Sequence, residues 1–475
     1  MAPPQIVIIG AGPTGLGAAW RLEELGYTNW SLLEASDVAG GLAGSVVDEN
    51  GFTWDYGGHV HFSHYEYFDR LMATLLGEAW IEHVRESSIW MRNRFIPYPL
   101  QNNIWRLPQE ELIQCLNGLL DVATNGPSSK APANFREWLL GTFGSGLCET
   151  FLFPYNRKVW AYDPSKLNSI WVGERVATVD FKRILANVVK QQDDVGWGPN
   201  ATFRFPRQGG TGAIWRALWD RLPATRKRMG TRVARIDPQA RQLYLTSGEV
   251  VSYDRLISTM PLDNLLRSLQ HRPDLSQHAE ELVYSSVHIV GVGFEGTVPE
   301  PLAAKNWMYF PEPDNPFFRA TVFSNYSPFN VPVPQRQWSL LCEVSESPDK
   351  PEDTNSMPDQ VLQGIWKTGL AARDAVVSSV WHRRLAHGYP TPFCQRNPLL
   401  DRLDAALRQI QIWSRGRFGA WKYEVSNQDH SLMQGVEAVD HILFGAEETT
   451  YRFPNVVNAG KSPARMIPTD ASWHW

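Results

Sequence analysis

The stretch QIVIIGAGPTGLGAAWRLEEL (Gln5–Leu25) decides the fold. Its apolar start, Gln5–Ile9, predicts a buried β-strand, and the apolar positions after the glycines recur with the period of an α-helix. The glycines Gly10, Gly12 and Gly15 form a GxGxxG motif between the two. The first permits a tight turn, the second lets backbone approach a pyrophosphate, and the third lets the helix pack on the strand. The motif therefore predicts a Rossmann-like dinucleotide site with phosphates at the helix N-terminus.

A second strand and an acidic residue follow at the spacing that such a site needs. The segment WSLLEAS (Trp30–Ser36) carries Glu34 about 20 residues beyond the motif, where a carboxylate would bond a ribose hydroxyl. A second glycine-rich loop, GGLAG (Gly40–Gly44), comes soon afterwards. In a plain nicotinamide-binding domain a surface helix would usually start here, whereas this loop returns the chain towards the same cofactor. The order of these features favours FAD over NAD.

The next segment, SVVDENGFTWDYGG (Ser45–Gly58), predicts a β-hairpin with a type I′ turn at its Asn-Gly pair. It leads into a stretch with three histidines, His59, His61 and His64, which could be metal ligands, an acid/base cluster or part of a pocket lining. No acid or thiolate cluster nearby in the sequence completes a metal shell. We therefore predict no metal site. The hairpin should return His59 towards the cofactor, and His64 is expected to be structural.

Composition limits the remaining classes of function. The 475 residues are enough for two or three domains, and the net charge of −5 with no long basic run argues against nucleic acid as a partner. The sequence contains no run of 18 apolar residues, so no membrane-spanning helix is predicted. The four cysteines lack CxxC spacing, which fits a reducing compartment, and we expect a cytoplasmic protein. The many aromatic residues fit either a large core or a pocket that stacks flat groups.

Several longer segments identify a family. They are GAGPTGLGAA (Gly10–Ala19), GGHVHFSHY (Gly57–Tyr65), PYNRKVWA (Pro154–Ala161), GERVA (Gly173–Ala177) and WSRGRFGAWKYEVSNQDHS (Trp413–Ser431). Together they resemble the UDP-galactopyranose mutases of the fungal and eukaryotic type, and the resemblance covers almost the whole chain.

The resemblance implies an α/β fold with three parts: a discontinuous, Rossmann-like FAD-binding domain, a helical insert and a mixed, largely antiparallel β-sheet domain for the substrate. The expected boundaries are 1–80, 205–260 and 405–475 for the FAD-binding domain, 100–200 for the helical domain with a mobile flap near 173–183, and 81–99 with 261–404 for the sheet domain. Helix-period and strand-period patterns in the corresponding segments agree with this division.

The resemblance also implies the reaction and its residues. UDP-galactopyranose and UDP-galactofuranose would interconvert without net redox change, with N5 of reduced FAD attacking the anomeric carbon as UDP leaves. The expected catalytic residues are His59, Arg175, Arg319 and Asn200. The expected FAD contacts are Gly10, Gly12, Thr14, Gly15, Glu34, Gly41, Leu42, Gly58, His59, Val233, Asn427, Gln428 and Ser431. The expected substrate contacts are Tyr98, Gln101, Asn156, Trp160, Arg175, Asn200, Tyr309, Arg319, Tyr326, Tyr389, Arg417 and Tyr423.

NADPH is the implied reductant, with Arg85 and Ser87 as its contacts in a shared site, and we expect a homo-oligomer. Two positions depart from the family pattern: His61, where an apolar residue is expected, and Gly196, where an asparagine is expected. They leave open whether the same chemistry acts on another nucleotide sugar. Two rival readings also stay open, namely an FAD-dependent amine oxidase or desaturase and a flavoprotein scaffold without catalysis. The cationic residues Arg175 and Arg319 favour a diphosphate over an apolar amine.

Overall fold

The computed structural model describes residues 3–126, 130–178, 180–195 and 201–462. Within these ranges the strands are β1 (Ile6–Ile9), β2 (Trp30–Leu33), β3 (Ser45–Val47), β4 (Thr53–Asp55), β5 (Trp80–Val84), β6 (Ser87–Met91), β7 (Arg94–Pro97), β8 (Thr202–Pro206), β9 (Lys227–Arg228), β10 (Val233–Asp237), β11 (Gln242–Leu245), β12 (Val250–Ser252), β13 (Arg255–Ser258), β14 (Tyr284–Glu295), β15 (Trp307–Tyr309), β16 (Arg319–Val322), β17 (Gln337–Glu346), β18 (Val377–Pro390) and β19 (Ile412–Ser414). The α-helices are α1 (Pro13–Glu24), α2 (Glu66–Leu76), α3 (Gln109–Asn125), α4 (Phe135–Leu147), α5 (Phe153–Trp160), α6 (Phe181–Lys190), α7 (Gly212–Arg221), α8 (Leu262–Ser268), α9 (Pro273–Ser276), α10 (Phe323–Tyr326), α11 (Met357–Lys367), α12 (Arg396–Gln409), α13 (Gln428–Phe444), α14 (Thr449–Arg452) and α15 (Pro454–Asn458).

A parallel five-stranded sheet in the order β19-β13-β1-β2-β9 carries the glycine motif. Strand β1 lies at its centre, where Ile8 is paired with Leu32 of β2 and Ile257 of β13. Every side chain of β1 is buried, which explains its continuous apolar sequence, because strands of a parallel sheet are covered on both faces. The predicted α/β class is confirmed.

Helices α1 and α13 cross at a distance that only glycine permits. A Cβ added to Gly435 would lie 1.9 Å from the carbonyl oxygen of Thr14, and one added to Gly17 would lie 2.5 Å from that of Leu432. Both distances are far below van der Waals contact. The crossing therefore brings the N-terminal turns of α1 and α13 together beside the sheet, where a dinucleotide would lie.

A second, seven-stranded sheet has the order β18-β14-β17-β16-β15-β6-β7. Its neighbours are antiparallel except for β15 and β6, which run parallel. The hairpin of β3 and β4 packs on this sheet, because the rings of Phe52 and Trp54 lie over Gly293 and Gly291 of β14, where added Cβ atoms would come within 2.5 Å of the rings. The hairpin thus joins the two sheets and directs residues 56–65 between them.

The hairpin itself is confirmed, but its predicted type I′ turn is wrong. Of the Asn50-Gly51 pair only Gly51 has a positive φ, of +85°, whereas a type I′ turn needs both. The amide of Gly51 donates instead to the carbonyl of Asp48, and the Asp48 carboxylate accepts from the amides of Asn50 and Phe52. The aspartate closes a longer loop that the Asn-Gly pair alone does not indicate.

The predicted helical region contains α3 to α6. Helices α4 and α5 are continuous through a π-helical turn, Cys148–Leu152, after a kink at Gly144, where φ is +73°. Gly146 lies against the backbone of α3. A Cβ added to Gly146 would lie 2.1 Å from the carbonyl oxygen of Gln114. Within the part of the chain that the structure describes, no helix is long and apolar enough to cross a membrane. The domain boundaries given above stay a prediction.

Candidate active site

Two glycine loops form a cradle at the end of β1. Gly10 has a φ of +98°, and a Cβ on Gly15 would lie 1.8 Å from the Gly10 carbonyl oxygen, so the motif glycines shape the turn and the helix packing as predicted. The amide of Gly40 donates to the carbonyl of Ala11 at 2.8 Å. A Cβ on Gly41 would lie 3.4 Å from the Cα of Gly12, so the second loop closes on the first. The helix α1 that follows has no side-chain cap, which leaves its first amides for a phosphate.

Glu34 lies directly after β2 and holds the cradle in place. Its carboxylate accepts from the amide of Ala11 at 2.5 Å and from the amide and hydroxyl of Ser36 at 2.8 and 2.7 Å. The side chain is half-buried, so it keeps an accessible edge where a ribose would bind. Val233 on β10 is buried in the same cluster as Leu33, beside this end of the sheet. These positions fit the expected adenosine half of a dinucleotide.

The N-terminus of α13 supplies a second set of polar groups. Asn427 stands at the cap position without a side-chain hydrogen bond, and the Oε1 atom of Gln428 accepts from Nε1 of Trp215 at 2.9 Å. Ser431 is buried in the first turn. A helix N-terminus with unused amides stabilises an anion, so this turn fits the ring of a reduced flavin. By contrast, in the glycine loop before α7 the amide of Thr211 donates to the Asp55 carboxylate and the amide of Gly212 donates to the Ser45 hydroxyl, so these two amides are not free for the cofactor.

The segment around His59 lies against the second sheet. The amide of Gly58 donates to Oε1 of Glu343 at 3.1 Å, and a Cβ on Gly58 would come within 2.9 Å of Oγ1 of Thr321. The Nδ1 atom of His59 is buried and has no hydrogen-bond partner among the described residues. Burial lowers the pKa of His59 to about 4, against the opposing effect of the Glu343 carboxylate. The imidazole is therefore neutral at pH 7 and presents an unused nitrogen to the site.

The other two histidines lie away from His59. His61 is 8% exposed and its ring lies between Phe68 and Trp80, with ring centroids 4.9 and 4.8 Å away. The aromatic neighbours Phe68 and Trp80 therefore cover the His61 ring in this structure. His64 is buried, as expected of a structural residue, and its amide and Nδ1 bond the carboxylate of Asp429 at 3.0 and 2.7 Å.

An acid does meet His64 in space, although none stands near it in the sequence. Ligand-type atoms of His64, Asp429 and His430 lie within 4.8 Å of one another. The Nδ1 atom of His430 also lies 3.1 Å from Oδ1 of Asp429. The neighbouring His ring groups lower the pKa of Asp429 well below its usual range despite burial, which alone would raise it. The expected absence of a metal stays a prediction.

Three guanidinium groups converge between the flavin side and the aromatic residues of the helical region. Arg319 on β16 forms a bidentate pair with Glu343 on β17, at 2.6 and 2.8 Å. Arg175 donates to the carbonyl of Glu424 at 2.8 Å, and Arg417 donates to the Gly388 carbonyl at 3.0 Å. Among the described residues neither Arg175 nor Arg417 has an ion-pair partner.

The charge of this cluster is therefore not balanced. Burial lowers the pKa of Arg417, and the nearby Arg175 and Arg319 lower it further. One carboxylate, that of Glu343, faces three cations. Such a group stabilises a polyanion, and planar guanidinium groups match phosphate oxygens in geometry.

Aromatic side chains enclose the guanidinium cluster. The Arg417 guanidinium lies 5.2 Å from the ring of Tyr389 and 5.9 Å from that of Tyr423, and Arg175 lies 5.2 Å from Tyr423. The phenol of Tyr309 accepts from Nε1 of Trp307 at 2.8 Å. Burial raises the pKa of Tyr389 and of Tyr309, which keeps both hydroxyls protonated as hydrogen-bond donors.

The rings of Tyr309, Tyr389 and Tyr423 form an aromatic wall, and the residues expected around a uracil lie next to it. The rings of Tyr98 and Tyr309 are 5.1 Å apart. Gln101 is buried, its Nε2 donates to the carbonyl of Ala177 at 3.0 Å, and its Oε1 has no partner among the described residues. A buried, unused amide oxygen is suited to an imide N–H. Asn156 uses its Nδ2 on the carbonyl of Leu152, at 2.8 Å, and keeps its oxygen.

Two further expected substrate contacts lie deep within aromatic packing. Trp160 is 1% exposed, and its ring is enclosed by Trp171, Tyr389 and Tyr423. Tyr326 is 0% exposed, in an aromatic cluster with Phe203. Their contact with a substrate stays a prediction.

The residues expected for NADPH lie at the edge of the same pocket. Arg85 is 6.0 Å from the ring of Tyr98, whose amide donates to the carbonyl of Ser87 at 3.2 Å. Asn200 and the departure at Gly196 lie outside the described residues. The flap near 173–183 contains Arg175 and the start of α6, and its motion stays a prediction.

Glu343 is the site residue that sequence reasoning missed. It stands in an apolar strand, SLLCEVSE (Ser339–Glu346), and is 2% exposed. Burying a carboxylate in an apolar strand is costly unless it is paired. The presence of Glu343 in this strand could therefore have indicated a buried cationic partner.

A dinucleotide cradle joined to a cationic, aromatic pocket on an antiparallel sheet defines a flavin-dependent enzyme. The family description "Flavin containing amine oxidoreductase" matches residues 13–460. A solved structure of reduced UDP-galactopyranose mutase is 49% identical, superposes with a TM-score of 0.95, and is covered to 99% by 98% of this chain. The chain belongs to the flavin-containing amine oxidoreductase family and, within it, to the UDP-galactopyranose mutases.

More distant similarities agree with the fold. A cyclohexylamine oxidase of Brevibacterium oxydans has a TM-score of 0.64 at 15% identity, over 92% of this chain and 98% of that one. A 15-cis-phytoene desaturase of Glycine max is 39% identical over 119 residues, 22% of this chain. The chain spans only 20% of the length of that curated relative, so its match concerns a segment. The flavin cofactor is common to the family.

Proposed function

We propose that the protein interconverts UDP-galactopyranose and UDP-galactofuranose, with reduced FAD as its cofactor and no net redox change. The observation that carries the proposal is the convergence of Arg175, Arg319 and Arg417 beside the flavin cradle, with one carboxylate, Glu343, to balance them. An amine substrate would gain nothing from three cations, whereas a nucleotide diphosphate needs them. The near-complete similarity to a reduced UDP-galactopyranose mutase supports the same substrate class.

The residues of the cradle fit FAD. Gly12 and Gly41 leave room for a pyrophosphate, Glu34 keeps an accessible edge for a ribose, and the first turn of α13 offers amides to the flavin ring. The other residues that we propose as FAD contacts are Gly10, Thr14, Gly15, Leu42, Gly58, Val233, Asn427, Gln428 and Ser431. When bound and reduced, the flavin supplies a nucleophilic nitrogen for the anomeric carbon.

The protein's own groups bind the leaving nucleotide. Arg175, Arg319 and Arg417 would hold the diphosphate and stabilise the charge that UDP gains as it leaves. The hydroxyls of Tyr309, Tyr389 and Tyr423 would donate to the phosphate oxygens. Tyr98, Gln101 and Asn156 would hold the uracil, and Trp160 and Tyr326 are further proposed substrate contacts. Asn200 completes the expected sugar contacts.

His59 would act as a neutral group beside the flavin. Its pKa of about 4 keeps the imidazole uncharged, and its unused Nδ1 is available to a sugar hydroxyl or a proton. The hydrogen bond from the Gly58 amide to Glu343 holds the backbone next to His59 in place. We propose that this segment positions the proton exchange that ring opening and closing require.

We propose NADPH as the reductant, bound by Arg85 and Ser87 in the substrate pocket. Their contact with Tyr98, a proposed uracil residue, supports a shared site. Such sharing predicts that UDP competes with NADPH. A homo-oligomeric state and a cytoplasmic location remain predictions from the sequence, which sedimentation analysis and cell fractionation would test.

The function is tested with protein reduced by dithionite or NADPH under anaerobic conditions. We expect UDP-galactofuranose to be converted to UDP-galactopyranose by the reduced protein and not by the oxidised protein, as resolved by ion-exchange chromatography. Reduced protein that converts no UDP-sugar would contradict the proposal. Oxygen uptake with amines would favour the amine oxidase alternative, and conversion of a different UDP-sugar alone would change the substrate.

A further inference from the structure

A separate cavity of ≈ 870 Å³ lies beside helix α5. Pro154 and Lys158, four residues apart, share the helix face that borders it. Asn156 and Trp160, also four residues apart, share the face that borders the aromatic wall. None of the residues assigned above to flavin or substrate lines the cavity. Its volume is in the range of ligand pockets.

The lining of this cavity is predominantly cationic. Five cationic and two acidic side chains line it: Arg157, Lys158, Lys350, Lys367, Arg373, Asp314 and Glu352. Lys350 is paired with Glu352, and Lys367 lies 3.8 Å from Asp314. The two acids are thereby engaged. Arg157 and Arg373 are exposed to the cavity and have no ion pair or side-chain hydrogen bond within the described part of the chain.

Lys158 connects the cavity to the segment that precedes Arg319. Its Nζ donates to the carbonyl of Glu312 at 2.9 Å and to the carbonyl and side-chain oxygens of Asn315 at 3.0 and 3.2 Å. Burial, with a smaller effect of Lys350, lowers the pKa of Lys158 to about 7. An anion nearby would favour the charged form and so strengthen this connection.

Prolines make the walls of the cavity rigid. Pro311, Pro313 and Pro316 stand on one side and Pro154 on another. A rigid, partly apolar wall lowers the local dielectric and strengthens the attraction between the free arginines and an anion. Two unpaired guanidinium groups are matched best by a group with several phosphate oxygens.

We propose that this cavity binds a small phosphate-bearing polyanion through Arg157 and Arg373, at a site distinct from that of the nucleotide sugar. The ligand lies against α5 and against the segment Asp314–Pro316, which leads into β16. Helix α5 also carries Asn156, and the segment Asp314–Pro316 ends three residues before Arg319. The site is accessible while the substrate pocket is filled, because the two share no side chain.

The test measures the binding of inorganic pyrophosphate by isothermal titration calorimetry, without divalent cations, in flavin-bound protein saturated with UDP. We expect one pyrophosphate per chain. The double variant Arg157→Glu/Arg373→Glu should lower the affinity at least about tenfold, and Arg157→Lys/Arg373→Lys, which keeps both charges, should retain most of it. Arg402→Glu, an exposed arginine on α12 outside the cavity, is the matched control and should bind as the parent does.

Flavin content and unfolding temperature show whether each variant is folded. Arg157→Ala/Arg373→Ala removes the two cations without adding negative charge that would repel pyrophosphate, and it must also lower the affinity for pyrophosphate. Absence of pyrophosphate binding to the UDP-saturated protein at millimolar concentration would overturn the proposal. Equal binding by the parent, Arg157→Glu/Arg373→Glu and Arg157→Ala/Arg373→Ala would also overturn it. Neither result depends on the proposed reaction, because the cavity is identified by its own variants.

Discussion

Arg319 and Glu343 form a bidentate ion pair across neighbouring strands β16 and β17, with N–O distances of 2.6 and 2.8 Å. The same Glu343 oxygen accepts from the amide of Gly58, at 3.1 Å. One buried carboxylate therefore joins the guanidinium cluster to the segment that carries His59.

Removal of the Glu343 charge should destabilise the protein. Glu343→Ala leaves the Arg319 guanidinium without its partner, and breaking a buried pair costs roughly 3–5 kcal/mol of unfolding free energy. Urea unfolding of the flavin-bound protein measures the change. Glu249→Ala, which breaks the exposed pair with Arg228, is the control and should leave the midpoint unchanged. Equal midpoints for the two variants would show that the buried pair does not support the fold.

Loss of Arg417 should weaken UDP binding. The guanidinium is expected to contribute a charge-assisted contact with the diphosphate, worth roughly 1.5–3 kcal/mol, or about 10- to 100-fold in Kd. Calorimetric titration of UDP into Arg417→Ala measures this loss, and Arg417→Lys should recover part of it. Arg402→Ala, on the surface of α12, should bind UDP as the parent does. Unchanged affinity in Arg417→Ala would remove this residue from the phosphate site.

His61→Phe should change acid stability and leave catalysis intact. Burial lowers the pKa of His61 to about 4 from an ordinary value of 6.5, so the unfolded chain binds a proton more readily than the folded one. Stability from this residue is complete above about pH 6.5 and falls as the pH drops through 4. As the pH falls between those values, the free energy of unfolding should decrease by up to about 3 kcal/mol less in the variant than in the parent.

Unfolding free energies of the parent and His61→Phe, measured from pH 7 to pH 4, check this difference. Turnover of UDP-galactofuranose should stay within about twofold, because Phe68 and Trp80 separate the ring from the site. A large fall in turnover with unchanged acid stability would contradict this prediction and indicate that His61 contacts the substrate.

Gly435→Ala should separate the N-terminal turns of α1 and α13, which we propose as contacts of the flavin. The added Cβ would lie 1.9 Å from the Thr14 carbonyl oxygen, and such overpacking costs roughly 1–3 kcal/mol. We expect a lower unfolding temperature and less bound flavin per chain, measured by absorbance. Gly141→Ala on α4 meets no atom within 4 Å and is the control, expected to keep full flavin content. A Gly435→Ala protein with full flavin would show that the close crossing is dispensable.

The sequence predicts the nucleotide half of the structure well because its signals are local. The spacing of Gly10, Gly15 and Glu34 follows from one strand–turn–helix unit, and each of these residues contacts its neighbours within that unit. The glycines of the α1–α13 crossing are different. Gly17 and Gly435 are far apart in the chain, and nothing near either residue indicates that they face each other.

The rest of the site depends on contacts between distant elements. Glu343 meets Arg319 through strand pairing, and Asp429 meets His64 across hundreds of residues, so neither partner was evident from spacing. The burial of His61 likewise follows from α2 and β5 packing around it. The type of each site residue could be predicted from the family resemblance, but its partner could not.

The most direct test counts turnovers for each reduction of the flavin. The protein is reduced once under anaerobic conditions, excess reductant is removed, and UDP-galactofuranose is added while the flavin absorbance is followed. A reaction without net redox change predicts many molecules of UDP-galactopyranose for each flavin, with the flavin still reduced at the end. At most one product per flavin, formed as the flavin becomes oxidised, would contradict it.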